Sequence, residues 1–302
     1  MLNFKCRQCG GEMSVNRTGD LVCSYCGTHA VFSDKELAEY RDFRSRMLTY
    51  LSSIANQEAN PENTDQIWTR AETETYRSAE GDDITVRYLF KSETDDVITY
   101  TSRNHVIFVF PHDKTNAPDR FQENLKFLSY PSADIRKLSQ YFPIYAGTFP
   151  LEDGRVMMAL SKSEELYPLA AFGSLPAVHA AWIISRLENL CCVLEFSNIR
   201  HGGINLESVF INARTHEAFL FGGWEKAGLC RHGSTDDLAA IRSTAKRLLG
   251  MKFGDSPAEF QRFLNNGPES DAYSDFAAWD QVIEKGFGGR RFQKLDLCNL
   301  QI

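Results

Sequence analysis

Asn198-Ile199-Arg200-His201-Gly202-Gly203-Ile204-Asn205-Leu206-Glu207-Ser208-Val209-Phe210-Ile211 is the stretch that decides how this chain is read. It starts where a long apolar helix, predicted from Pro176 to Phe196, runs out, and it ends in an apolar strand. The loop between them has two adjacent glycines and a single carboxylate, Glu207. About twenty residues further on stands Leu220-Phe221-Gly222-Gly223-Trp224, and Asp236-Asp237-Leu238 then opens a helix that ends at Leu248-Leu249-Gly250.

Working outward, the residues before this stretch alternate in the manner of strands: Ile84 to Phe90, Val97 to Thr101, His105 to Phe110, Pro143 to Phe149 and Arg155 to Leu160. A helix is predicted over Asp119 to Leu128, with a weaker helical stretch at Ala133 to Gln140. After Leu175 the pattern is helical, with Pro176 to Phe196 followed by Thr235 to Leu249, Pro257 to Leu264 and Ser274 to Lys285. A β-rich half followed by a helical half predicts a two-lobed α+β architecture.

The stretch from His201 to Ser208 resembles the catalytic loop of the protein-kinase fold, His-Arg-Asp-Leu-Lys-Pro-Glu-Asn followed by an apolar strand. His201, Ile204, Glu207 and the strand match it. Leu220-Phe221-Gly222-Gly223-Trp224 stands where kinases have a strand ending in Asp-Phe-Gly, and the Trp after the expected Asp position resembles a subset of bacterial kinase-like proteins, some with J-domains, that have Asp-Trp there. The resemblance runs from about Ile67 to the C-terminus. It implies that His201 and Glu207 are structural and that Asp237 holds the loop backbone; a solvated carboxylate at a helix start is the alternative for Asp237.

Phosphoryl transfer on this fold needs an Asp to orient the attacking hydroxyl, an Asp and an Asn to hold Mg(II), and a Lys on the third strand to fix the phosphates. By the resemblance these positions are degenerate: Gly203 replaces the first Asp, Asn205 the Lys that often follows it, Ser208 the metal-binding Asn and Gly223 the second Asp. No Asp occurs between Asp153 and Asp236, so exact alignment does not matter. Between Gly27 and Gly147 the only glycine is Gly81, which excludes a Gly-rich phosphate loop, and His105 to Phe110 contains no lysine. Glu123, where the lysine's partner would stand, reads more simply as a surface carboxylate. No catalytic residue and no ATP or Mg(II) is expected.

The other informative feature is at the opposite end. Cys6-Arg-Gln-Cys9-Gly-Gly and Cys23-Ser-Tyr-Cys26-Gly are two C-x-x-C pairs with thirteen residues between them. Four soft ligands without His or carboxylate predict one closed, tetrahedral, structural Zn(II) site; rubredoxin-like iron or a redox dithiol is the competing chemistry. A segment this short needs its metal in order to fold. Cys191 and Cys192 lie mid-helix as small apolar groups, and Cys230 near His232 reads as coincidence rather than a nucleophile and its base. Arg290, Arg291 and Lys294 read as a solvated face.

Ser33-Asp34-Lys35-Glu36 has capping-box spacing and precedes Leu37, Tyr40, Phe43, Met47, Leu51 and Ile54, which predicts a linking helix from Ser33 to about Ala55 and then a polar linker. The expected division is therefore a zinc ribbon over 1–31, helix and linker over 32–64, and a kinase-like domain over 65–302, its N-lobe over 65–160 and C-lobe over 161–302. The 302 residues are 43% hydrophobic and 24% charged, which excludes a disordered tail, a collagen-like fibre or a disulfide miniprotein. A net charge of -7 gives no pull toward nucleic acid or anionic membrane, and the near-neutral knuckle is a poor phosphate binder. No leader and no apolar run of membrane-spanning length is read, so a cytoplasmic location is expected. The resulting expectation is a bacterial or phage-encoded zinc-ribbon pseudokinase that binds another protein. An unconventional nucleotide- or phosphate-transferring enzyme with relocated acids, for example Asp236, and a nucleic-acid binder acting through the ribbon are the alternatives.

Overall fold

The computed structural model describes residues 67–230, 235–290, 293–297 and 300–301, together with residues 6, 8–9, 13–15, 21–23, 25–30, 38 and 42. The expected linking helix and linker lie outside the described residues, apart from Ala38 and Asp42, as do His232 and Arg291.

At the N-terminus β1 (Met13–Val15), β2 (Leu21–Cys23) and β3 (His29–Ala30) form a three-stranded antiparallel sheet. The β-rich lobe contains β4 (Glu72–Arg77), β5 (Asp83–Glu93), β6 (Ile98–Ser102), β7 (His105–Phe110), β8 (Ile144–Pro150) and β9 (Val156–Ser161). They make one antiparallel sheet in the order β4-β5-β6-β7-β9-β8. The sheet curls until its outer strands meet: Ser78 bridges Leu151, the Glu152 N–H donates to the Arg77 carbonyl at 2.9 Å, and the Ala79 N–H donates to the Pro150 carbonyl at 2.9 Å.

Curling buries both faces of the central strands. Val106, Phe108 and Phe110 of β7 join the main core, while Val109 joins Tyr76, Val86, Tyr88, Tyr100, Leu151 and Met157 in a second cluster inside the curl. A strand covered on both faces has no reason to alternate, which is why Val106 to Phe110 is an unbroken apolar run. Helix α1 (Ala117–Leu125) follows β7 and inserts Phe121 against Phe108, ring centroids 6.1 Å apart. Phe121 is fully buried, and truncating it to Ala would cost about 3–5 kcal/mol.

The helical lobe is built around α2 (Ala177–Ser197), buried along nearly its whole length. At 21 residues it is long and apolar enough to cross a membrane by length and average composition, although Arg186, Glu188 and Glu195 interrupt it, in keeping with the expectation of no uninterrupted apolar run. Its surroundings explain the composition, since 78% of its apolar window is buried in the core and polar side chains bond inward. Ser185, for example, accepts from the Trp279 indole at 2.8 Å.

Before α2, β10 (Leu166–Pro168) pairs with β12 (Val209–Asn212), and β12 pairs with β13 (Glu217–Leu220). Just after α2, β11 (Ile199–Arg200) pairs with β14 (Gly228–Leu229). Helices α3 (Thr235–Leu249), α4 (Ala258–Asn265) and α5 (Ala272–Phe287) complete the lobe. The two-lobed α+β arrangement matches the expectation. The stretch at Ala133 to Gln140 departs from it, forming a 3-10 helix, Ile135–Tyr141. Strand β4 was not anticipated.

Candidate functional site

The loop read as catalytic lies between the two lobes. Helix α2 stops at Asn198, which takes a left-handed conformation (φ 56°) that Asn tolerates, and β11 carries the chain into the loop. Asp237, in the first turn of α3 and 1% exposed, accepts the His201 N–H at 2.7 Å and the Gly202 N–H at 2.8 Å. His201 is fully buried; its Nδ1 accepts the Gly203 N–H at 3.2 Å and its ring stands edge-on to Trp224, centroids 4.9 Å apart. Burial pushes the imidazole down to about 4, so it is neutral at physiological pH and is no proton donor.

The remaining polar groups of the loop bond to one another. The Asn205 side-chain carbonyl accepts the Glu207 N–H at 2.9 Å and the Ser208 N–H at 2.8 Å, and the Ser208 hydroxyl accepts the Asn205 N–H at 2.9 Å. Glu207 faces Arg247 across 3.6 Å. The Ser208 carbonyl accepts the N–H groups of Phe221 and Gly222 at 3.0 and 3.1 Å, fastening the second motif to the first.

That fastening brings Gly203 and Gly223 into backbone contact. A Cβ on Gly203 would lie 2.9 Å from the Gly223 Cα and 3.1 Å from its carbonyl oxygen. A Cβ on Gly223 would lie 3.0 Å from the Gly203 Cα, from its oxygen and from the His201 Cε1, on a backbone at φ +86°. Neither position has room for a side chain.

On the β-lobe side, the turn from β5 to β6 is closed by Thr94, whose hydroxyl accepts the Asp96 and Val97 N–H groups at 3.3 and 3.2 Å. Asp96 from this turn binds Lys114, which follows β7, and Lys226, which follows Gly223, at 2.9 Å. The two ammonium groups, Lys114 first, hold the Asp96 carboxyl down at about 2. A carboxylate of the protein thus occupies two cations at the junction of the lobes. Beside it the Asn124 amide of α1 donates to the Trp224 and Ala227 carbonyls, both at 2.8 Å, while Glu123 is exposed. Asp96, Lys114, Lys226 and Asn124 were not singled out by sequence reasoning. No local sequence pattern marks these contacts, which join residues up to 130 positions apart. Asp236 is largely exposed and pairs with Arg200 at 3.3 Å.

The second site is the cysteine cluster. The ligand atoms of Cys6, Cys9, Cys23 and Cys26 all lie within 4.8 Å of one another, the one group of three or more metal-ligating side chains among the described residues. Cys6 to Cys26 and Cys9 to Cys23 are 3.5 Å apart and Cys9 to Cys26 is 3.3 Å. Thiolates around a tetrahedral zinc at about 2.3 Å stand roughly 3.8 Å from each other, so the cluster has the size to hold that ion. The Cys26 N–H donates to the Cys23 sulfur at 3.5 Å and Thr28 Oγ1 lies 3.0 Å from the Cys26 sulfur, polar contacts of the type that support metal thiolates. Cys191 and Cys192 are buried in α2.

No protein-family model matches the sequence, and no curated protein matches it. Among solved structures the chain is similar to the ROP18 kinase domain in complex with AMP-PNP and sucrose, at 12% identity over 79% of this chain and 90% of that one, with a TM-score of 0.45. It is also similar to a rhoptry kinase from Toxoplasma gondii (11% identity, 82% of this chain and 94% of that one, TM-score 0.45). A third similar structure is vaccinia related kinase 3 (14%, 83% and 85%, TM-score 0.42).

Proposed function

We propose that this protein is a pseudokinase: a kinase-like body without phosphotransferase activity, joined to a structural zinc ribbon, that acts by binding another protein in the cytoplasm. The observation that carries the reading is the backbone contact between Gly203 and Gly223, at the two positions where the kinase resemblance requires acids. Electrostatic stabilisation by those acids and their Mg(II) is most of what such an enzyme supplies, so closing their space removes the chemistry rather than tuning it. Asp237 and His201, by contrast, keep the loop folded, which is what a scaffold retains.

An enzyme with relocated acids gains no support from Asp236, which is exposed and paired with Arg200. The test is a thermal-shift titration of the full chain with ATP and Mg(II). No change in melting temperature is expected at millimolar nucleotide, whereas a saturable upward shift would overturn the reading. For the ribbon, four thiolates on one Zn(II) suit protein docking better than phosphate contact. A salt-dependent mobility shift with single- or double-stranded probes would reverse that preference.

A further inference from the structure

We propose that Cys9 and Cys26 form an oxidative-modification site, at which a peroxide joins the two sulfurs as a disulfide and so expels the zinc that holds the ribbon together. The inference rests on the zinc reading of the cysteine cluster and adds to it a distinction between the ligands.

The four sulfurs are not equivalent. Cys6 and Cys23, the first cysteine of each C-x-x-C pair, are buried at 3% and 2% exposure. Cys9 and Cys26, the second of each pair, are exposed. The residues that follow keep them open: Gly10 and Gly11 after Cys9, and Gly27 after Cys26, have no side chain to lay over a sulfur. A Cβ on Gly27 would meet nothing within 4 Å. Gln8 and Tyr25, which precede the two cysteines, are also exposed. The shell around a metal controls solvent access to it, and here it covers only two of the ligands.

Accessibility and distance select the same pair. The Cys9 and Cys26 sulfurs are 3.3 Å apart, closer than Cys6 to Cys26 or Cys9 to Cys23, each 3.5 Å. Metal ligation keeps both as thiolates, the form that attacks peroxide. An accessible thiolate poised beside a second one is the arrangement that resolves to a disulfide.

One thiolate attacks a peroxide oxygen: an S–O bond forms, the O–O bond breaks, and the leaving hydroxide takes a proton to become water. The other thiolate then attacks the sulfenic sulfur: the S–S bond forms, the S–O bond breaks, and the departing hydroxide takes a second proton. The two sulfurs together give two electrons to the peroxide, and Zn(II) keeps its charge. Only Cys6 and Cys23 then remain as ligands where a structural zinc uses four, so the ion leaves with the folding free energy it supplies. Cys191 and Cys192, 4% and 0% exposed inside α2, lie out of reach of the same peroxide.

The experiment treats the full zinc-loaded chain with hydrogen peroxide, follows zinc with a chromophoric chelator, and maps disulfides by non-reducing peptide mass spectrometry after alkylation. Metal content is measured first. A chain that neither carries nor takes up zinc overturns the zinc reading and the proposal with it, whereas zinc present and retained under peroxide overturns the proposal alone. The expected result is one zinc released per chain in step with one Cys9–Cys26 disulfide, Cys191 and Cys192 still reduced, and zinc taken up again after dithiothreitol. Without peroxide, iodoacetamide should modify Cys9 and Cys26 of the zinc-loaded chain at least about tenfold faster than Cys6 and Cys23. Release with Cys6 or Cys23 in the new disulfide, or equal alkylation of all four sulfurs, also overturns the proposal.

Discussion

Replacing Gly223 by Ala tests the closed junction most directly, because it adds one carbon and no charge. That carbon would lie 3.0 Å from the Gly203 Cα, the Gly203 oxygen and the His201 Cε1. Two of these are backbone atoms and the third belongs to a buried ring held by Gly203 and packed on Trp224, so none yields cheaply. Overpacking of this kind costs about 1–3 kcal/mol. The backbone adds its own cost, since φ +86° is a conformation in which an L residue loses roughly 1–2 kcal/mol relative to glycine. A central expectation is therefore a loss of about 3 kcal/mol, which for a body of this size lowers the melting temperature by roughly 6–12 °C.

Urea unfolding of the full chain, followed by Trp fluorescence, reads the loss as a lower midpoint at unchanged slope. Gly254→Ala is the matched control: φ there is -63° and nothing lies within 4 Å of an added Cβ, so stability should hold or rise by about 0.4–1 kcal/mol. A Gly223→Ala loss below about 0.5 kcal/mol, within the range of ordinary surface changes, would refute the reasoning. The junction would then have slack, and the argument that the acids cannot be accommodated would fail.

Three further outcomes are expected. Asp237→Asn leaves two loop N–H groups sharing one acceptor, with an amide NH₂ facing one of them; it should cost about 1–3 kcal/mol per lost bond and speed amide exchange at His201 and Gly202, and unchanged exchange would contradict it. Burial, and then the neighbouring Asp275 charge, raises Glu188 well above its ordinary value, so the fold holds a proton there that the unfolded chain releases. Stability from this group is lost as pH rises through the ordinary carboxylate range toward the raised value, and Glu188→Gln should raise the urea midpoint at pH 8 while leaving pH 4 nearly unchanged; equal shifts at both would contradict it. The purified chain should carry one zinc, lost in Cys6→Ser with the melting of the two-lobed part unchanged, and iron in its place would show by its visible absorption.

The parts of the fold that could be read in the sequence are those whose signal is local. Helix α2 is apolar all round because neighbours cover it on every side, and β7 is a continuous apolar run because the sheet curls over its second face. The Cys pairs announce their cluster by spacing alone. Strand β4 failed because Glu-Thr-Glu-Thr-Tyr-Arg offers no apolar alternation. Its inward positions hold Glu74 and Tyr76, and what makes them tolerable inside a sheet is Tyr88, Lys91 and Tyr100 on two other strands. The lobe junction failed for the same reason at longer range, since Asp96 finds Lys114 18 residues away and Lys226 130 residues away. On α1 Glu123 is exposed, in keeping with its reading as a surface carboxylate, while the neighbouring Asn124, which carries no such local signal, makes the bonds.

The two glycines illustrate a subtler limit. Each could be read separately as an acid that is absent, but the contact between them is a property of the pair. Because the space beside Gly203 is filled by Gly223 and the reverse, an acid at either position needs the other backbone to withdraw, and Ser208 holds that backbone through two hydrogen bonds. Restoring one Asp therefore costs stability without creating a metal site, and restoring both requires the junction to part against the Asn124 and Asp96 contacts that span it. Loss of the acids and closure of the site support each other. On the proposed pseudokinase reading, that mutual support is why no single substitution at Gly203 or Gly223 would create a phosphotransferase site.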